Sequence, residues 1–367
     1  MKNTSKIEQL KLKIIHQAKL LGFDLIGFSP AKVQNKHVKS YKNWLLKRYE
    51  GEMSYMQKVD ARLDPGKALP TDTEQPDAKS VIVLAINYYH PQEKLSSSCG
   101  LIARYAYGRD YHKIIKKKLR QLEEYILQEA HNIQQETQNT RQTVHNPQQA
   151  AQIANLKTKS YIDTGPLLER ALAEQGGLGF IGKNSCLITR EFGSWVFLSE
   201  IIVNIKLHDK VTSMRQLGNP AGKICQQSNQ LAQKAQHFPF CGNCTKCIES
   251  CPTKAIVAPG VIDARKCISY LTIENKKSIP QKLTKILKST KRIFGCDICQ
   301  EVCPHDIARQ KPTIHPELTS PKIAGDQQNL KKILSIKTDQ QFLNTFAGSP
   351  LMRAKRRGMR RNARAIN

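Results

Sequence analysis

The sequence is short of acids, has no long apolar run and carries no export signal. Only 30 aspartates and glutamates stand against 58 lysines and arginines, leaving a formal charge of +28. So large a deficit of negative charge raises the local concentration of phosphate polyanions, which makes nucleic acid or an anionic membrane the expected partner. The ordinary alternative is a basic, solvated surface. No stretch approaches the roughly 20 apolar residues that would span a bilayer. The N-terminal MKNTSKIEQLKLKIIHQAKLLGF lacks the apolar h-region and small-residue cleavage site of a signal peptide, and it lacks a twin-arginine pair, so no export is predicted. Ile7, Leu10, Ile14, Ala18 and Leu21 instead recur at helical spacing and predict an amphipathic surface helix. The expected compartment is the cytoplasm, where thiols stay reduced and eleven cysteines do not form a disulfide framework.

Eight of those cysteines lie between positions 241 and 303. Residues 241–252 read CGNCTKCIESCP, which places Cys241, Cys244, Cys247 and Cys251 at the spacing of bacterial two-cluster ferredoxins. Three thiolates in seven residues wrap one corner of a cubane, and the fourth, before a proline, is directed to a neighbouring cluster. A second run, CDICQEVCP at 296–304, supplies Cys296, Cys299 and Cys303 but is one cysteine short. Ile293 stands where its first ligand would fall, and Cys267 in DARKCISYL is the nearby replacement. If each run lends its final cysteine to the other cluster, one set is Cys241, Cys244, Cys247 and Cys303, and the other is Cys251, Cys267, Cys296 and Cys299. Zinc ribbons separate two C-x2-C pairs by a loop and rarely crowd three ligands in this way, so two 4Fe-4S clusters are the expectation. Cys99, Cys186 and Cys225 are expected to be small buried or inert thiols.

At 367 residues the chain is long enough for two or three domains, and the other 240 residues mix strands with helices. AKSVIVLAINYY at 78–89 suits a strand buried on both faces, and Ile115, Leu119, Leu122 and Ile126 mark one helical stripe over 113–130. In SYIDTGPLLERALAEQGGLGFIGKNSCLI a short strand is predicted to end at Asp163, and a helix to open at Pro166 and stop at Gly176 and Gly177. GSWVFLSEIIVNI at 193–205 reads as a further strand. GLGFIG at 177–182 matches the dinucleotide fingerprint formally, but a helix precedes it and a strand follows, the reverse of the order that fingerprint needs. Asp163-Thr164-Gly165 resembles an aspartic-protease signature without the second copy that chemistry requires. A carboxylate at a strand end beside a glycine-rich loop suits a catalytic acid or, equally, a helix cap.

Together, DTGPLLERALAEQGGLGFIGKNS, GSWVFLSE and the two cysteine runs resemble the epoxyqueuosine reductase family, as do ARLDP at 61–65, GRDYHK at 108–113 and RRNARA at 360–365. The resemblance implies an α+β protein. An α/β cobalamin-binding domain resembling nitroreductase-like reductases would occupy residues 1–235, with a Gln/Asn-rich inserted loop at 131–159. A two-cluster ferredoxin-like domain would cover 236–312, and a helical, basic, tRNA-contacting segment 313–367. A Gln-rich linker is expected at about 206–237. The implied cofactors are cobalamin and two 4Fe-4S clusters, and the implied reaction reduces epoxyqueuosine in tRNA to queuosine. By the same resemblance Asp163 is the proton donor, the cysteines form the two sets given above, and Arg62, Lys183, Asn184, Gly193, Ser194 and Ser269 surround the cofactors. The acid role calls for a desolvated, protonated Asp163. Expected partners are the tRNA and a reduced flavodoxin- or ferredoxin-type donor, with no membrane and with the chain monomeric. The seven Lys or Arg of 350–367, without an acid, suit tRNA phosphates. Longer family members continue into helical repeats, whose tRNA contacts would be absent or replaced here. Competing readings are a cobalamin-dependent reductive dehalogenase, disfavoured by the lack of a twin-arginine signal, and an electron-transfer module without its own substrate.

Overall fold

The computed structural model describes residues 5–69, 78–139, 152–208, 240–320 and 324–367. Cys225, most of the predicted 206–237 linker and the centre of the predicted 131–159 loop lie outside the described residues.

Helix α1 (Lys6–Leu20) starts where the Ser5 side chain accepts the Glu8 N–H, with Glu8 in its first turn and Lys19 in its last, each sign suited to that end of the helix dipole. It buries Leu10, Ile14 and Ala18, so the predicted stripe faces a core. The central sheet is antiparallel, in the order β1 (Leu25–Pro30), β2 (Ser80–Asn87), β7 (Val196–Val203), β4 (Thr158–Tyr161). All eight residues of β2 are buried because the sheet is covered twice. Ile82, Leu84 and Ile86 join α1 and the long helix α3 (Tyr111–Asn139) in one core, where Ile115, Leu119, Leu122 and Ile126 form the predicted stripe. Val81, Val83 and Ala85, on the opposite face, pack with α4 (Glu169–Gln175). The period-two alternation of strand side chains thus divides one apolar run between two cores. Helix α3 runs into the Gln/Asn-rich stretch and reaches Asn139.

Helix α4 begins three residues beyond Pro166, because the carbonyls of Gly165 and Leu167 turn toward the buried Arg62 guanidinium, at 3.5 and 3.4 Å, rather than opening a helical ladder. The GLGFIG segment then forms one side of a hairpin, β5 (Gly179–Ile181) with β6 (Leu187–Thr189). A Cβ on Gly179 would fall 2.1 Å from the Ile188 carbonyl, so this glycine serves close strand approach and no phosphate cradle.

A second sheet binds distant parts of the chain together. Strand β3 (Cys99–Ile102) pairs parallel with β10 (Arg292–Phe294) and antiparallel with β11 (Gln327–Asn329). Ile293, which stands at the missing-ligand position, is fully buried here as a core residue. Gly100 has no room for a Cβ because Ile293 and Ile366 close over it. The basic C-terminal segment is a packed helix, α9 (Lys355–Ile366, numbering helices of six residues or more), and it buries Met359, Ala363 and Ile366. Its Asn362 donates to the carbonyls of Thr272 and Ile293 at 2.8 and 2.9 Å. Among the described residues, no helix is long and apolar enough to cross a membrane.

Asn362→Ala strands two buried carbonyls and should cost about 1–3 kcal/mol, read as a lower urea midpoint of the cluster-loaded protein. An unchanged midpoint would mean that the apolar face of α9 docks it unaided.

Candidate active site and cysteine centres

Asp163 follows β4 with a left-handed backbone, φ 47°, a conformation that costs a non-glycine residue about 1 kcal/mol or more unless neighbours fix it. Its side chain is 55% exposed, so the carboxyl faces an opening. Two residues at the start of α3 grip it there. The Tyr111 hydroxyl donates to Asp163 Oδ2 at 2.8 Å, and His112 Nε2 lies 3.0 Å from the same oxygen. His112 Nδ1 is 2.7 Å from Asp110 Oδ1, so the ring sits between two carboxylates. Burial opposes charge on His112, but these two acceptors outweigh it and raise the imidazole to about 9. Crowding around the Asp163 carboxyl opposes its ionisation too, yet the bonds from His112 and Tyr111 and the charges of His112 and Arg353 prevail and hold it below the usual aspartate range. A desolvated, protonated Asp163 was expected. The geometry favours the reverse arrangement, an aspartate held toward its ionised form beside an imidazole held toward its protonated one, because the carboxylate accepts two hydrogen bonds and faces the charges of His112 and Arg353.

The cysteines gather in two groups. Cys241 and Cys244 act electrostatically on Cys247, and Cys303, against Phe180 and Ile188, packs with Cys241. Cys251 acts on Cys267, Cys267 on Cys296, and both Cys267 and Cys296 on Cys299. Among the described residues no three of these side chains close on one metal-binding point, so the two ligand sets go forward as a proposal. Backbone N–H groups already point at sulfur, Ala255 to Cys251 at 3.2 Å and Lys183 to Cys241 at 3.5 Å, a donor set suited to thiolate-bound clusters. Cys186, expected to be inert, hydrogen-bonds with Cys299 and so lies against the second group.

Most of the other expected cofactor residues lie at the junction between the sheet and the cysteine segments. Lys183 Nζ donates to the carbonyls of Gly242 and Cys244, and Asn184 Nδ2 to that of Cys299. Ser194 donates to Asp306 through N–H and hydroxyl, at 2.5 and 2.8 Å. Gly193, φ 58°, lies so close that a Cβ would fall 2.3 Å from Asp306 Oδ1. The Ser269 N–H points at Cys267. Arg62 is buried beneath the Asp163 loop, apart from this junction, and its Nε has no partner among the described residues.

Aromatic rings connect the two regions. Tyr111 stacks on Phe197 with centroids 4.0 Å apart, and Phe197 packs on Tyr88, whose hydroxyl accepts from Gln300 beside Cys299. Tyr105 touches both Tyr111 and Phe294, two residues before Cys296. Tyr111 and His112 were not named as site residues from the sequence, although GRDYHK had been singled out. The available signal was the run of an acid, a phenol and an imidazole at a helix start.

Residues 62–164 match the family described as epoxyqueuosine reductase QueG, DUF1730, and residues 240–306 match the 4Fe-4S double cluster binding domain. An epoxyqueuosine reductase of Atelocyanobacterium thalassa is 33% identical over 357 residues, 96% of this chain and 97% of that protein. One from Cellulophaga algicola is 36% identical over 351 residues, 93% of each. A crystal structure of epoxyqueuosine reductase with a tRNA-TYR epoxyqueuosine-modified tRNA stem loop superposes with a TM-score of 0.74 at 29% identity, covering 98% of this chain and 81% of that one.

The raised His112 value means that its ion pair stabilises the fold fully below the unfolded histidine pKa and is lost as pH rises through about 9. The depressed Asp163 value means that its share is present above the unfolded aspartate pKa and is lost as pH falls through the folded one. NMR titration of the imidazole should therefore give a midpoint near 9, falling toward the ordinary value in Asp163→Asn. An unshifted histidine in the unaltered protein would contradict the geometry.

Proposed function

The chain belongs to the epoxyqueuosine reductase family and is an oxidoreductase of that activity; from this premise we propose that its two cysteine sets hold two 4Fe-4S clusters, that a cobalamin binds beside Asp163, and that Asp163 delivers a proton to the departing epoxide oxygen. Removing that oxygen as water takes two electrons and two protons. Bound cobalamin supplies the electron chemistry, for which no side chain has the required potential. The observation carrying the reading is an exposed acid, hydrogen-bonded to a histidine and a tyrosine, with the rings of Tyr111 and Tyr105 standing between it and the segment that bears Cys296. Tyr105 and Phe294 fix the spacing, and Gly295 has no room for a Cβ beside Ala103 and Tyr105. His112 stores the proton, Asp163 passes it on, and Tyr111 keeps the carboxylate aimed outward.

The basic surface supports tRNA as the macromolecular partner, with reduced flavodoxin or ferredoxin as donor and the cytoplasm as compartment. In the C-terminal segment Arg353 is engaged by Glu274, Arg356 by Asp339 and Arg361 by backbone carbonyls of the 271–277 segment. Lys355, Arg357 and Arg364 are exposed and face outward for phosphate contact.

Asp163→Asn should keep both clusters and bind cobalamin yet lose turnover on epoxyqueuosine tRNA; unchanged turnover would remove Asp163 from the mechanism. Replacing Lys355, Arg357 and Arg364 together by alanine should flatten the dependence of log affinity for tRNA on log salt by about 2, and an unaltered slope would place the phosphates elsewhere.

A further inference from the structure

Two arginines and two acids form a buried ion network among the cysteines of the second run. Asp297 follows Cys296, and Glu301 lies between Cys299 and Cys303. Arg104, just after β3, gives its backbone N–H to Asp297 Oδ2 at 2.8 Å. Its Nη1 donates to Glu301 Oε1 at 2.8 Å and to Asp297 Oδ2 at 3.4 Å, and its Nε to the His90 carbonyl at 3.2 Å. The same guanidinium lies over the Trp195 ring, 5.0 Å from the centroid. Arg292, the first residue of β10, gives Nη2 to Glu301 Oε2 at 2.6 Å. Its side chain is only 6% exposed, and its Nε and Nη1 meet no acceptor among the described residues.

The two arginines are therefore unequal. Arg104 is spent on two acids and a carbonyl. Arg292 keeps three N–H groups, one on Nε and two on Nη1, out of water and without a protein partner. Buried donors are nearly always paired, and a guanidinium cannot shed its charge to escape the cost. The strand limits where those donors can act. Gly295, which joins β10 to Cys296, gives its N–H to Thr272 Oγ1 at 3.0 Å, and Thr272 belongs to the short helix Ile268–Ile273 that follows Cys267. Strand β10 is thus tied on one side to the segment carrying Cys267 and, through Glu301, to the segment carrying Cys296 and Cys299. Sulfur is the acceptor that such a place supplies once iron is bound, and hydrogen bonds to sulfur and nearby charge both set the potential of a 4Fe-4S centre.

We propose that Arg292 tunes the second cluster: Glu301 anchors its guanidinium, and the spare N–H groups donate to cluster or thiolate sulfur and favour the reduced state. This rests on the reading that Cys251, Cys267, Cys296 and Cys299 hold a 4Fe-4S centre. One-electron reduction adds a negative charge to that centre, and a fixed, desolvated cation beside it stabilises the product.

Redox titration of the full, cluster-loaded chain, followed by electron paramagnetic resonance, tests it. Arg292→Met keeps the bulk but neither charge nor donors, and should disfavour reduction of one cluster at least tenfold, a fall of about 59 mV for one electron, while the other cluster keeps its potential. Arg292→Lys restores a cation with donors and should recover part of that fall. Unshifted potentials in Arg292→Met, or no recovery in Arg292→Lys, overturn the proposal. Should Arg292→Met lose its iron, the unaltered protein still decides: with isotope-labelled guanidinium nitrogens, pulsed resonance of the reduced form should show nitrogen coupled to the cluster spin. Absence of that coupling, or its survival in Arg292→Lys, overturns the proposal as well. Protein that takes up no iron at all overturns the cluster reading and this role with it, whereas two intact clusters with unshifted potentials leave that reading standing and remove only Arg292.

Discussion

The carboxylate of Asp306 joins the cysteine-bearing segment to the central sheet. It follows Cys303 by three residues, is fully buried, and accepts both the N–H and the hydroxyl of Ser194 just before β7. The missing side chain of Gly193 is what lets that backbone approach, since a Cβ there would strike the acid. Gln300 reinforces the joint by donating to the Ser194 hydroxyl and carbonyl. A buried carboxylate is tolerated only when its hydrogen-bonding needs are met, and here meeting them fixes the distance between the thiols and the sheet. The aromatic stack from Tyr88 through Phe197 to Tyr111 then carries that placement to the acid at the opening.

Local chemistry was the legible part of the sequence. Cysteine spacing pointed to a two-cluster segment, and residues 240–306 match a 4Fe-4S double cluster binding domain. The helical stripe of α3 and the two-faced strand β2 followed from periodicity and composition. The true start of α4 was not legible, since it depends on Arg62, about a hundred residues earlier in the chain, turning two carbonyls away from the helix. Nor could spacing show that Lys183, Asn184, Gly193 and Ser194 press against the cysteine segments. Those contacts are set by the antiparallel sheet and by one glycine backbone.

The proton state of Asp163 illustrates the same limit. Local sequence marks it as an acid at a strand end, and its hydrogen-bond partners arrive from a helix start that precedes it by some fifty residues. A single aspartate is thereby converted into one end of a charged pair, with the proton on the imidazole. A run of acid, tyrosine and histidine looks unremarkable until the fold turns it toward a second carboxylate.

Strand β3 has a bearing on how the molecule is made. Both of its neighbours come from the last quarter of the chain, so its edges stay bare while most of the polypeptide is being synthesised. Such non-local pairing must close large loops before it gains anything, which slows folding and leaves an exposed template in the meantime. Iron delivery and the closing of this sheet share the same late segment. A nascent chain that acquired its thiolate-bound iron too early would have to fold its first hundred residues around an already rigid insert.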